Sequence, residues 1–491
     1  MVRSLKNTFA PINRIPSDVL SIIPDYWADE DTADEDLITL THICRGWRKF
    51  FTSRPSLWSY LDCTSVEKTR VYIERSKSSP LNVRLGGGKC SHYLLNDAFL
   101  LMVPHLGRLR SLTFFGSSGG FIELVNKRFN CPAPFLEKLD IFFTPDPHLI
   151  TTAILDRNLS SLRELHLFGV LTNLPWKNLT NLTRFKLCHV PSNGISLTKL
   201  LDFFEQTPLL TNIKLWDAFP TISDAPLGRV VCLPHLKKLN IKADPAPSIL
   251  LEHLSIPSGA SLVLVGQFDI KKFPVLDCLP KTSRKLKNLS HITSISLYCD
   301  SRSCLRLDGP SGGISIFTRP AGAVDSPHLV YSRLLRSLGC FGILATERLT
   351  ITSYNISLPS KIKKSSVYQA LFFMNALRTL TLVDCLNSPF ISALNPSQTS
   401  GTLLCPELEE LVLYIGREER FHVDELLEMV MERSLRGARL STISIVSSPK
   451  FMPVEGVFEL RNYVSSVEYR LDDIARLRTR ILGDFGDEGD W

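Results

Sequence analysis

From Leu106 onward the apolar residues return as a six-residue block with an aliphatic or aromatic side chain at its first, fourth and sixth positions. The early copies are Leu109-x-x-Leu112-x-Phe114, Leu136-x-x-Leu139-x-Ile141, Leu162-x-x-Leu165-x-Leu167, Leu182-x-x-Phe185-x-Leu187, Leu210-x-x-Ile213-x-Leu215 and Leu236-x-x-Leu239-x-Ile241. Later copies begin at Ile292, Leu377, Leu408 and Leu440. The middle anchors 112, 139, 165, 185, 213 and 239 are separated by 27, 26, 20, 28 and 26 residues. Alternation within each block predicts a short strand with one apolar face. One such unit cannot hide its apolar edge, whereas units stacked with parallel strands share a continuous core. The anchors 380, 411 and 443 are 31 and 32 residues apart, which predicts fuller helices between them. Between Gly266 and Arg348 the rhythm is irregular, and Leu305 to Phe317 predicts a hairpin around a glycine turn.

The first sixty residues follow a different pattern. Asn13 to Leu20 predicts a short helix capped by Ser17 or Asp18 and ended by Pro24. Seven acidic residues between Asp25 and Asp36 predict a solvated loop. Leu37, Leu40, Ile43, Cys44 and Trp47 then fall at steps of three and four, the period of one helical stripe. After a turn at Arg54-Pro55, Leu57 and Trp58 supply another apolar anchor. At the far end, Val464, Val467, Leu471, Ile474, Leu477 and Ile481 predict a helix capping the last repeat, followed by a frayed acidic tail from Asp484 to Trp491.

Composition narrows the function. A hydrophobic fraction of 44% against 21% charged residues suits a chain that buries a core. The net charge of +7, from 56 basic and 49 acidic residues, is small for 491 residues and argues against nucleic acid as the partner. The apolar tract from Leu329 to Ala345 is interrupted by Arg333 and Arg336, so no membrane partner is expected, and the chain is expected to work inside the cell, in the cytoplasm and/or nucleus. Twelve cysteines lie scattered from Cys44 to Cys405 without a Cys-x-x-Cys pair, which predicts reduced thiols, no metal site and no cofactor. Gly309-Pro-Ser-Gly-Gly formally matches a serine-nucleophile elbow, but that elbow needs a following helix and an alternating strand follows here. Gly86-Gly-Gly-Lys89 lacks the spacing of a phosphate loop and is expected to be a flexible joint. The chain is therefore expected not to be an enzyme.

Ile15-Pro16, Val19-Leu20, Asp36-Leu37, Ile43-Cys44, Trp47 and Leu57-Trp58 resemble, in order, the motifs of the F-box. The block spacing resembles that of leucine-rich repeats, whose period is roughly 20 to 29 residues. Together the resemblances imply an α/β chain: an N-terminal helical F-box, then a leucine-rich-repeat solenoid with parallel strands on its concave face and helices on its convex face. The expected boundaries are a disordered start at 1–10, an F-box at 11–62 with an acidic insertion at 25–36, and a linker at 63–90. The solenoid follows at 91–448 with its irregular section at 266–348, and a cap and tail fill 449–491. Such a protein would be the substrate-recognition adaptor of an SCF-type ubiquitin ligase. It would dock on a Skp-family linker protein, and through it on cullin and RING subunits. Ile15, Pro16, Leu20, Leu37, Leu40, Ile43, Trp47, Leu57 and Trp58 would form the docking surface or the core beneath it. The rival expectation is a leucine-rich-repeat scaffold with no ligase role.

Residues beside the inward positions of each block point away from the core. On successive early repeats these are Lys138, Asp140 and Phe142; Glu164, His166 and Phe168; Arg184, Lys186 and Cys188; Asn212, Lys214 and Trp216; and Lys238, Asn240 and Lys242. Basic residues beside aromatic ones suit an acidic or phosphorylated protein target. The expected target-binding set is Phe142, His166, Phe168, Arg184, Lys186, Lys214, Trp216, Lys238 and Lys242.

Overall fold

The computed structural model of the chain describes residues 11, 15–16, 18–20, 33–63, 65–86, 92–116, 127–128, 133–143, 148–149, 159–171, 179–190, 195–218, 228–242, 247–266, 279, 292–299, 303–309, 313–318, 332, 335, 338, 346–353, 364–383, 387–399, 401–415, 423–447 and 456–471. The fold is mixed α/β with large parallel sheets, and the described strands form no closed barrel. Two compact units divide the chain, Met1–His235 and Leu236–Trp491.

In the first unit residues 18–20 are helical, with Leu20 N–H donating to Pro16 O at 3.0 Å, and helices α1 (Ala33–Ile43) and α2 (Arg45–Thr52) pack on each other. A single helical stripe is expected from Leu37 to Trp47, but the helix breaks at Cys44. The Cys44 backbone turns extended there, and its Sγ accepts the Trp47 amide at 3.5 Å as an N-cap. A 3-10 turn, Pro55–Ser59, leads directly into β1 (Tyr60–Asp62). Then come α3 (Val66–Ser76), β2 (Leu81–Leu85), α4 (His92–Met102), β3 (Leu109–Gly116), β4 (Lys138–Phe143), β5 (Glu164–Phe168), β6 (Arg184–Cys188), α5 (Leu197–Gln206) and β7 (Asn212–Trp216). Strands β1 to β7 pair in chain order, each parallel to the next.

The block explains its own spacing. Its first leucine closes a turn, as in Leu136 N–H to Ala133 O, Leu162 N–H to Leu159 O and Leu182 N–H to Leu179 O. The next amides start the ladder on the previous strand, as when Arg163 and Glu164 both donate to Glu137 O. Leu61, Val83, Leu112, Leu139, Leu165, Phe185 and Ile213 then lie in register across the seven strands and are buried. Helices cover this inner side, with Phe99 of α4 against Phe114 of β3 at 6.3 Å and Phe203 of α5 against Phe185 of β6 at 4.7 Å.

The second unit contains β8 (Lys238–Lys242), α6 (Ser248–Glu252), β9 (Ser261–Gly266), β10 (Ser294–Cys299), β11 (Ser303–Asp308), β12 (Gly313–Thr318) and β13 (Arg348–Ser353). It continues with α7 (Lys364–Phe372), β14 (Thr379–Val383), α8 (Asn387–Leu394), β15 (Glu410–Ile415), α9 (Val423–Leu435), β16 (Thr442–Ser447) and β17 (Ser466–Leu471). In the irregular section the strands run β9, β12, β11, β10, β13 across the sheet, and β11 is antiparallel to both neighbours. The expected hairpin is therefore β11–β12. Ser311 itself lies outside the described residues, but the segment holding it joins two antiparallel strands rather than a strand and a helix. Of the helices expected to be fuller at the late steps, α9 between β15 and β16 has 13 residues against 10 in α5, whereas α8 between β14 and β15 has only 8.

Other expectations need correction. The segment at 63–90 is not a plain linker, because it carries α3 and β2 and its strand is the second rung of the sheet. The sheet itself starts at Tyr60, inside the stretch assigned to the F-box. Of the acidic segment, Ala33 to Asp36 is helical, as the first turn of α1. Val467 and Leu471 lie not on a helix but on β17, which pairs parallel with β16 and places Val467 beside Ile443. Residues 1–10, 21–32, 87–90 and 472–491 lie outside the described residues, and with them the frayed start, most of the acidic insertion, most of the glycine joint and the tail. Gly86, directly after β2, has φ +82°, where a Cβ would stand 2.1 Å from Phe115 O, so only glycine fits without displacing backbone.

Candidate protein-interaction face

Because inward residues alternate with outward ones, the outer face of the first unit is organised in rows running across the strands. One row is aromatic: Phe115, Phe142, Phe168, Cys188 and Trp216 are in register on β3 to β7. Neighbouring strands lie about 4.8 Å apart, the distance at which rings in register can stack. Phe115 and Phe142 do so, with centroids 4.8 Å apart and planes 6° from parallel. Phe142 meets Phe168 at 6.2 Å, and Phe168 meets His189 at 4.6 Å. Cations flank the row, with the Arg84 guanidinium 5.0 Å from the Phe115 centroid and Lys214 Nζ 3.5 Å from the Trp216 centroid.

The adjacent row reads Thr113, Asp140, His166, Lys186 and Lys214. Thr113 Oγ1 donates to Asp140 Oδ2 at 3.4 Å, and Lys138 Nζ lies 3.3 Å from the same oxygen. Burial pushes the Asp140 carboxyl above its usual range, against the opposing pull of Lys138, Lys186 and Thr113. His166 is pushed down to about 4, first by burial and then by the charges of Lys186, Lys214 and Lys138. Its imidazole is therefore neutral near pH 7 and stands edge-on to Phe142 at 4.7 Å. A third row contains Glu164 and Arg184, whose exposed ion pair spans 3.0 Å and is worth about 0–1 kcal/mol.

The His166 shift has a testable sign. Between the ordinary value of 6.5 and about 4, the unfolded chain takes up a proton that the folded unit refuses. Stability of this unit is expected to fall as pH drops through that window. Asp140 shifts in the opposite sense, so comparison with a His166→Phe variant isolates the histidine. Urea unfolding from about pH 7 to about pH 5 is expected to lose less stability in the variant than in the unaltered chain.

Phe142, His166, Phe168, Arg184, Lys186, Lys214 and Trp216 thus share one face of the first unit, although Arg184 is engaged by Glu164. Lys238 and Lys242 stand on β8 of the second unit, half-buried and alternating with buried Leu239 and Ile241. Cys188 was expected to face outward but is only 3% exposed, with Sγ 3.9 Å from His166 Nε2. Phe115 and Arg84 were missed. Phe115 directly follows the Leu109 block, the offset that singled out Phe142 and Phe168, so the same rule applied one repeat earlier finds it.

The residues matched to the F-box divide by exposure. Leu20, Leu37, Leu40, Trp47 and Trp58 are buried, and Ile15 and Leu57 are half-buried. Pro16 is exposed, and Ile43 is 44% exposed. Ile38 also reaches solvent, as do Thr39, His42 and Ile43 of α1, and Arg48 of α2 bonds back to α1 through Nε to Thr41 O at 2.9 Å. Trp58 belongs to the core, packed edge-on to Tyr72 of α3 at 4.9 Å.

Among the described residues no group of three or more His, Cys, Asp or Glu side chains could hold a metal ion, and no helix is long and apolar enough to cross a membrane. No family model matches the sequence, and no curated protein is significantly similar to it.

Proposed function

We propose that this chain is the substrate-recognition adaptor of an SCF-type ubiquitin ligase, with an F-box at α1 and α2 and leucine-rich repeats in the strand-and-helix units that follow. The observation that carries the proposal is the division of labour in the N-terminal helices. Leu37, Leu40 and Trp47 are buried, while Ile38 and Ile43 reach solvent on the helix whose Thr41 carbonyl accepts from Arg48 Nε at 2.9 Å. Large exposed aliphatic side chains on a short helix pair suit docking on a partner. The aromatic and basic rows of the first unit offer a second surface, for the target. An adaptor of this kind performs no bond chemistry. It raises the local concentration of its target near an activated ubiquitin conjugate, so the gain is one of proximity.

The test is co-purification with the Skp-family linker protein. The unaltered chain is expected to retain the linker, and an Ile38→Glu/Ile43→Glu double variant to lose it by about tenfold or more while unfolding at an unchanged temperature. Ile38 and Ile43 lie at the surface, whereas Trp47→Ala would also open a cavity beneath the helices. An unaltered chain that never retains the linker would leave the plain repeat scaffold as the better account.

A further inference from the structure

We infer that the outer face of the first unit binds a peptide through one anionic side chain seated over Lys186 and Lys214, with an apolar neighbour laid along Phe142 and Phe168. The inference rests on the proposal that this face receives the target, and it names the chemistry of that target. Charge supplies the first argument. On β4 to β7 the outer positions hold four basic side chains, Lys138, Arg184, Lys186 and Lys214, against two acidic ones, Asp140 and Glu164, a net of +2. The acids stand on β4 and β5, one against Lys138 and the other against Arg184. The positive end of the face is therefore the Lys186–Lys214 pair, in register on adjacent strands. Two lysines whose backbones lie one strand spacing apart can both address a single carboxylate or phosphate, Lys214 from its place over the Trp216 ring.

His166 completes the seat. It is faced by Lys138, Lys186, Lys214, Asp140 and Cys188, and being neutral it offers a hydrogen bond without a charge of its own. Beside it, the half-buried rings of Phe142 and Phe168 give an apolar residue something to cover. A single nucleic-acid strand fits less well. It needs a continuous basic track and open ring faces, whereas Asp140 and Glu164 interrupt the track and Phe115 already covers a face of Phe142.

Fluorescence anisotropy on the purified full chain tests this with short labelled peptides that differ only at one residue flanked by leucines: glutamate, phosphoserine or glutamine. The two anionic peptides are expected to bind about tenfold or more tighter than the glutamine peptide, and to weaken as salt is raised. The glutamate and phosphoserine arms distinguish a carboxylate from a phosphate as the preferred anion. Lys186→Gln/Lys214→Gln is expected to remove the preference, with thermal unfolding as the control for folding. In the unaltered chain, saturation with the preferred peptide is expected to raise the His166 imidazole above about 4, read by NMR, because an added anion offsets the lysine charges. Equal binding of all three peptides, unchanged binding by the double variant, or tighter binding of polyuridylate would each overturn the inference. Loss of linker co-purification with peptide binding retained would instead remove the adaptor function alone.

Discussion

Replacing Trp58 with alanine is expected to destabilise the first unit by about 4 kcal/mol, because the side chain lies wholly in the core at 0% exposure. Its indole N–H donates to Phe51 O at 2.9 Å, tying the end of α2 to the 3-10 turn before β1. One ring face carries the Arg75 guanidinium at 4.3 Å, and Tyr72 meets the ring edge-on. Alanine would lose the buried area, leave a cavity under α3 and take the indole donor from the Phe51 carbonyl, which keeps the Arg54 N–H at 3.3 Å. Urea unfolding followed by circular dichroism measures the effect. A loss below about 1 kcal/mol, joined to selective loss of the linker protein, would return Trp58 to the docking surface.

Arg433→Ala is expected to cost the second unit about 3 kcal/mol. Arg433 projects from α9 at 0% exposure, and its two terminal nitrogens donate to Leu404 O and Cys405 O, each at 2.7 Å. These carbonyls belong to the turn that feeds β15, where Cys405 is held at φ +47°. Burial lowers the Arg433 pKa and lifts the Cys405 thiol to about 12, so the thiol stays protonated and brings no counter-charge. The guanidinium fork thus acts as a clamp on backbone oxygens. Arg433→Lys is expected to rescue little, since one ammonium cannot reproduce a planar fork with two parallel donors. Arg433→Met, which keeps the stem, should fall between. Hydrogen exchange at the β15 amides locates the damage, and protection unchanged in Arg433→Ala would refute the clamp.

The two sites differ in how far they could be foreseen. Trp58 is visible as an apolar anchor, but nothing local says whether it faces a partner or Tyr72. Arg433 sits among the charged residues of an amphipathic helix, and its burial follows from the approach of a turn 28 residues away. The β2 rung escaped notice for a simple geometric reason. Its block, Leu81-x-Val83-x-Leu85, is one residue shorter than Leu109-x-x-Leu112-x-Phe114, and the ladder absorbs the difference as a register shift between Leu81 and Asn82. For β17, Val464, Val467 and Leu471 sit at helical steps, while Val467, Tyr469 and Leu471 also alternate as in a strand. Pairing with β16 settled it.

Short-range patterning was enough to locate most rungs, their inward side chains and their parallel stacking, since alternation and turn chemistry act within about six residues. It also named most of the aromatic and basic residues that share the outer face. Long-range contact decided the remainder: the order β9, β12, β11, β10, β13, the burial of Cys188, the pairing of Arg184 with Glu164 and the neutrality of His166. Each of these depends on which strand lies alongside and on how much water is excluded there. Both are properties of the assembled sheet, set for Arg184, Cys188 and His166 by residues 20 or more positions apart in the chain.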